Sequence, residues 1–485
     1  MQNKRRSPAA LLMVGESVVF KWLNRLRTQR AKEHYNLADT RPPLPIGEQS
    51  AWSGGDRTAP EDNGPDELYL DESSMMLEEL QHNVSSGLDL ATQRVRIADA
   101  FNSTRPVGDR YELSGRLTEL QILVEAMIDR KNHAIIYGAR GVGKTSIARV
   151  FGDLVDEAGR NAYYHSASGD ADFEELMRPY VTMILDNSVR LPGREHLDAL
   201  GERFSARDLA DALASVGSQK TFLILDEFDR ITNRRARAET ASLLKLLSDY
   251  RASVQMVIVG ISTDVAHILD DHPSLRRHLV AVRIGPIADH AARRLLEEGC
   301  RRGGITLSED VADALIRIAG GSPYHARTFA LAAGLAAIGA QRETVDQSAL
   351  LEGVEAAWRD WSALSPRTAR LFQRIANREQ DVAGLWVLAL LAAQEHMFDR
   401  ARLSDTLTDA KVTSSIKSDA LAGELIAKLD SELNTEDGMH SFSDSLAPQY
   451  LLVAWLRAAV RNETFLLPEW TKCLAELANS VKESQ

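Results

Sequence analysis

An α/β protein is predicted: a three-layer αβα unit with a parallel sheet, then an all-helical stretch and a C-terminal block of helices and a hairpin. Three features lead there. Apolar runs of strand length at 134–137, 162–165, 221–225, 254–259 and 281–284 alternate with helix-length amphipathic segments. Beyond Pro286 the strand pattern stops and helical spacing continues alone. Between the first strand and its helix the chain reads GARGVGK, a glycine-rich turn that runs straight into a helix.

In chain order, residues 1–36 are basic, with eight Lys/Arg against two Glu, and Leu11, Val18, Trp22 and Leu26 recur at helical spacing. Such a helix docks on a partner or on its own chain; membrane contact is the less favoured reading. Residues 37–74 turn to Pro, Gly, Ser and acidic residues, the composition of a disordered linker. Residues 75–286 hold a helical lead-in and the αβα unit, in which Ser205 with Asp208 has the form of a helix cap and an arginine-rich helix covers 234–250. Residues 287–361 predict four lid helices near 289–302, 308–319, 323–339 and 345–361, broken by Gly pairs at 303–304 and 320–321. Residues 362–485 carry helical runs at 366–377, 384–396, 400–409 and 415–430, then alternating residues around Asp437-Gly438. Helices followed by a hairpin are the pattern of a winged helix-turn-helix.

Composition narrows the classes. With 485 residues, 44% hydrophobic and 26% charged, the chain is that of a globular protein of several domains. A net charge of −12 argues against a surface coated by nucleic acid, though one basic patch remains compatible with it. The two cysteines, Cys300 and Cys473, form no disulfide or zinc spacing, which suits a reducing cytoplasm. No run approaches the ~18 apolar residues that span a bilayer. Lys4, Arg5 and Arg6 precede a short apolar run, but Glu16 interrupts it and no cleavage pattern follows, so a cytoplasmic location is expected.

Two motifs carry the chemistry. Gly138, Ala139, Arg140, Gly141, Val142, Gly143, Lys144 and Thr145 fit the G-x-x-x-x-G-K-[ST] phosphate loop, with Ser146 next in the helix. Glycines let successive N–H groups turn inward around phosphates at a helix N-terminus, where the dipole also favours anions. Lys144 places a charge on the phosphates, and the Thr145 hydroxyl is a Mg²⁺ ligand. In TFLILDEFDR, four apolar strand residues end in Asp226-Glu227, two carboxylates at the same edge of a parallel sheet. Asp226 suits the Mg²⁺ shell and Glu227 suits the base that activates water. ATP and Mg²⁺ are the expected cofactors.

GARGVGKTS, LILDEFD and the polar end of VIVGIST together resemble an AAA+ ATPase over residues 100–361, and more loosely to 485. SGR in YELSGRLTEL, GGSP before a lid helix and the expected winged helix resemble the origin-recognition-complex-like branch, bacterial members included. HILDDHPSLRRHL is also similar to the target-selecting ATPases of transposons. The resemblance implies a sensor at Thr263 (or Ser262), and an arginine finger for a neighbouring subunit at Arg276 or Arg277. It implies self-assembly on ATP binding. Where the family often carries a lid arginine this chain has Tyr324, with Arg327 one turn on; a G-x-P lid would instead bring Pro323 to the adenine. Val107 and Gly115-Arg116 are the adenine-side candidates.

Double-stranded DNA is a candidate partner through Arg230, Arg234, Arg235 and Arg237, and through Lys411, Thr413, Ser414, Ser415 and Lys417 if the third helix of the C-terminal block reads DNA. That block holds 13 Lys/Arg against 17 Asp/Glu, a balance that also suits a protein partner, as does segment 1–36. Three functions stay open: an oligomeric ATPase acting on DNA, a STAND-type signalling or defence ATPase, and a nucleotide-holding DNA-binding module. Glu227 weighs against the third, and the lack of an arginine directly after Thr263 weighs against the second.

Overall fold

The computed structural model describes residues 89–102, 115–187, 192–216, 220–260, 273–378 and 382–461. Segments 1–36 and 37–74, with Val107, Ser262 and Thr263, lie outside the described residues. Helix α1 (89–100) precedes α2 (Leu117–Val124), which runs into a π-helical turn at Glu125–Asp129. The αβα unit then follows: β1 (His133–Tyr137), α3 (Lys144–Glu157), β2 (Asn161–Ser166), α4 (Phe173–Asn187), α5 (Arg194–Asp198), α6 (Ala206–Ser215), β3 (Thr221–Asp226), α7 (Arg234–Asp249), β4 (Val254–Gly260) and β5 (Leu279–Arg283).

All five strands are parallel, in the order β2-β3-β4-β1-β5. Burial explains the order. FLIL in β3 and VQMVIVG in β4 are buried throughout, as strands covered on both faces must be, and they lie inside the sheet. NAYYHS in β2 and LVAVR in β5 are mixed and lie at its edges. Because β4 separates β1 from β3, the phosphate loop and Asp226 leave the same edge two strands apart. Ser205 caps α6 in a reciprocal box with Asp208, as its spacing predicts.

The helical region holds α8 (Asp289–Arg302), α9 (Glu309–Ala319), α10 (Pro323–Gly339) and α11 (Gln347–Leu364). A short parallel pairing of β6 (Thr306–Leu307) with β7 (Thr344–Val345) crosses it, which periodicity does not reveal. Ile97 and Phe101, on and just after α1, pack into this lid, where Gly299, Gly303 and Gly334 leave room for them.

The C-terminal block comprises α12 (Pro366–Arg378), α13 (Val382–Glu395), α14 (Arg400–Asp409), α15 (Ser415–Leu429), β8 (Leu433–Glu436), β9 (Met439–Phe442) and α16 (Ala447–Arg461). The hairpin turns on Asp437 and Gly438, both at positive φ (51° and 80°), the geometry that a two-residue loop requires. Phe398 adds an antiparallel bridge to His440. The lid and this block share one continuous core. Tyr450 of α16 stacks on Trp361 of α11 (4.4 Å, 5° between planes), and Arg457 holds Glu355 through two 2.7 Å contacts. Among the described residues no helix is long and apolar enough to cross a membrane.

Candidate nucleotide-binding site

The loop between β1 and α3 is a closed cradle. Gly138, Gly141 and Gly143 have φ of 153°, 79° and 98°. A Cβ at Gly138 would lie 2.1 Å from the Ile284 carbonyl oxygen, and one at Gly141 would lie 2.8 Å from Ser322 Oγ. The loop is therefore pressed between the end of β5 and the lid, and only glycine fits either contact. Lys144 Nζ donates to the carbonyls of Gly138 (3.0 Å) and Ala139 (2.9 Å), which centres the ammonium at the N-terminus of α3. Ala139 and Val142 are buried, and Arg140 turns outward to pair with Asp229 at 3.2 Å. Thr145 and Ser146 follow in the first turn of α3.

Beside the cradle, β3 delivers its two acids differently. Asp226 is 2% exposed; its Oδ1 accepts the Glu227 N–H at 2.7 Å and its Oδ2 accepts the Tyr164 hydroxyl. Glu227 sits at φ 57°, a left-handed conformation uncommon for a residue with a side chain. The bend takes Glu227 out of the strand, where Ser166 Oγ donates to Oε2 (2.6 Å) and Arg230 pairs with Oε1 (3.0 Å). The β2–β3 register places Ser166 opposite Asp226, so the strand beside β3 supports both carboxylates. The Asp226 carboxylate and the Thr145 hydroxyl are hard oxygen donors of the kind Mg²⁺ takes, in a mode that leaves most positions to phosphates and water. The residues present fit that ion.

Two further contacts fix the loop. Arg116 is 4% exposed and donates to the carbonyls of Val142 (3.1 Å) and Gly285 while pairing with Glu119 at 2.9 Å. Burial lowers its pKa, and Glu119 offsets part of that. Arg116 thus ties the loop to the link between β5 and the lid. On the other side, Ser322 Oγ donates to the Gly141 carbonyl at 3.1 Å and caps α10, in which Pro323 is the first residue. Since a carbonyl only accepts, the Ser322 proton is committed to it, and the 2.9 Å contact to His325 Nδ1 must be an imidazole N–H donating to Oγ. Burial pushes the His325 pKa down to about 3, so the ring is neutral. The Tyr324 N–H also points to the Gly141 carbonyl (3.4 Å), whereas Arg327 donates to the Ala100 carbonyl of α1 at 3.4 Å.

The C-terminal block walls one side of the loop, which no spacing in the sequence foretells. A cavity lies between Ala139-Arg140 and Ala392, His396, Phe442 and Gln449. A second, of about 280 Å³, runs from Gly138 and Arg283 to Gln394–Met397. His396 lines both, at φ 67°. Burial, then the nearby charges of Lys144 and Arg140, lower its pKa to about 4. His396, Tyr164 and Ser166 come from distant segments and match no linear motif.

Other expected residues lie apart. Arg276 and Arg277 are exposed just before β5, at the sheet edge opposite the phosphate loop. Of the arginines after β3, Arg230 is held by Glu227 and Arg237 lies 5.2 Å from the Phe228 ring centroid, while Arg234 and Arg235 are exposed at the start of α7. Lys411, Thr413 and Ser414 form the turn before α15, and Lys417 is exposed; Ser415 begins that helix. On the same helix Asp419 is clamped by Arg400 through contacts of 2.8 and 2.6 Å.

A parallel sheet with a phosphate loop after its first strand, paired acids after its third and a helical lid defines a P-loop ATPase fold of the AAA+ kind. The chain belongs to the novel STAND NTPase 1 family, whose model matches residues 108–458. That membership overturns the weight placed against a STAND protein by the missing arginine after Thr263. Similar solved structures include Cdc6p of Pyrobaculum aerophilum (15% identity, TM-score 0.40, 75% of this chain and 98% of that one). A Walker-type ATPase of Pyrococcus abyssi (17%, 0.42, 72% and 99%) and the RuvB Holliday junction branch migration motor of Thermotoga maritima (14%, 0.37, 70% and 95%) are also similar. No curated protein matches.

Proposed function

We propose that the protein is an ATP-hydrolysing, nucleotide-gated switch of the STAND type, working in the cytoplasm, whose C-terminal block is displaced when ATP fills the phosphate loop. The observation that carries this reading is the placing of His396 and its neighbours against Ala139-Arg140. In this reading Lys144 and the loop N–H groups hold the β- and γ-phosphates. Thr145 and Asp226 hold Mg²⁺, which supplies charge neutralisation on those phosphates. Glu227, released from Ser166 and Arg230, accepts the proton of the attacking water. A γ-phosphate arriving beside Ala139 competes with the block for the same space, and that competition makes the switch.

Assembly belongs to the proposal. Arg276 and Arg277 sit too far across the sheet to serve their own site, and an exposed arginine pair suits a neighbour's γ-phosphate. We take the C-terminal block from residue 362 as a winged helix that binds protein in preference to DNA, because Asp419, on the helix that would read bases, is an acid held by Arg400 of the preceding helix.

Hydrogen exchange in the Glu227→Gln protein tests the switch. Amides at 392–397 and 445–449 should exchange faster with ATP than with ADP, and the ATP sample should elute as an oligomer larger than a dimer. Identical exchange in both samples, with a monomer throughout, would sink the reading.

A further inference from the structure

We propose that Tyr164 is a positioning residue for the metal-binding carboxylate, setting the affinity of the site for Mg²⁺ through Asp226. The inference rests on the reading of Asp226 as the Mg²⁺ carboxylate. Tyr164 lies on β2 opposite Ile224, one side-chain repeat before Ser166 on the same face. Its phenol reaches along the strand to Asp226 Oδ2, while the Glu227 N–H holds Oδ1 at 2.7 Å. Donors at both oxygens fix the plane of a carboxylate that is otherwise free to turn about its last bond. Each oxygen keeps a second lone pair, so the clasp orients the group and leaves it able to accept from metal-bound water.

The rest of the environment holds the phenol in this role. The Arg149 guanidinium, from the same helix that carries Lys144 and Thr145, lies 4.2 Å from the centre of the Tyr164 ring. Asp226 itself is almost fully buried, so deleting the phenol hydroxyl removes a donor from a carboxylate with little bulk solvent to replace it.

Tyr164→Phe, which keeps the ring and deletes the donor, tests this by nucleotide binding under Mg²⁺ titration. Partners that orient a metal ligand typically contribute ~10–100-fold in metal affinity. The Mg²⁺ concentration that half-saturates the metal-dependent gain in ATP affinity should rise by about that factor. ATP affinity in EDTA should equal that of the native protein, which also shows that the variant folds. An unchanged Mg²⁺ midpoint overturns the proposal, and so does an equal loss of ATP affinity in EDTA, because that marks a packing role. If the native protein gains no ATP affinity from Mg²⁺, the assignment of Asp226 falls, and this inference with it; the native titration thus separates the two failures.

Discussion

In the proposed mechanism Lys144 and Glu227 do different work, and their substitutions should separate. Lys144 is the cation at the cradle's centre, held by the carbonyls of Gly138 and Ala139. In Lys144→Ala the phosphates lose that charge, and ATP binding should vanish in a fluorescent-nucleotide titration. Glu227 is held by Ser166 and Arg230, after β3 and not in the phosphate loop. Glu227→Gln should keep ATP affinity within a few-fold and slow turnover by about 10²–10⁴, the usual contribution of a general base. Hydrolysis at the native rate in Glu227→Gln would remove Glu227 from the mechanism. The placement of both residues is legible in the sequence, because a lysine after glycines before a helix and an acid after an apolar strand are local patterns. Ser166 and Tyr164 are not legible: their roles arise only when β2 lies beside β3.

At the scale of elements, the lid helix meets the loop at one residue. Ser322 and the Tyr324 N–H both point to the Gly141 carbonyl, and the free side of Gly141 faces Ser322 Oγ. Gly141→Ala introduces a methyl 2.8 Å from that oxygen at a φ of 79°. The lid should lose its hold on the loop, seen as faster exchange of the first amides of α10 and at least ~10-fold weaker ATP binding, since a left-handed alanine costs about 1–2 kcal/mol before any clash. Native affinity in Gly141→Ala would show that the lid does not shape the pocket. The lid helices themselves were readable from periodicity and glycine pairs. That α10 would dock on Gly141 was not, since nothing local marks the partner of a capping serine.

For the whole molecule, two buried histidines couple stability to pH. His133 Nδ1 accepts the Met256 N–H at 2.9 Å, which only an unprotonated ring can do, and burial lowers its pKa to about 4. His325 is lowered further, to about 3. An unfolded histidine titrates near 6.5. Below that value the unfolded chain takes up protons that the native chain refuses, so stability is complete at neutral pH and falls as pH drops towards 4. For His133 alone the full loss is roughly 3 kcal/mol. The urea midpoint should hold above about pH 7 and fall steadily from there to pH 5. A midpoint flat over that range would mean that both rings take up protons in the native protein as readily as in the unfolded chain.

The sequence by itself determined the αβα class, the phosphate loop, the acid pair, the helical lid and the hairpin at Asp437-Gly438. Each is written in a short window, because strand and helix periods, glycine conformations and phosphate binding are local requirements. The tertiary structure decided the order β2-β3-β4-β1-β5, the support of Asp226 and Glu227 by Tyr164 and Ser166, and the wall that His396 builds against the phosphate loop. Those depend on which surfaces bury each other across hundreds of residues, and no window of the chain holds both partners. His396 lies far along the chain from Ala139, and only the core shared by the lid and the C-terminal block brings them together.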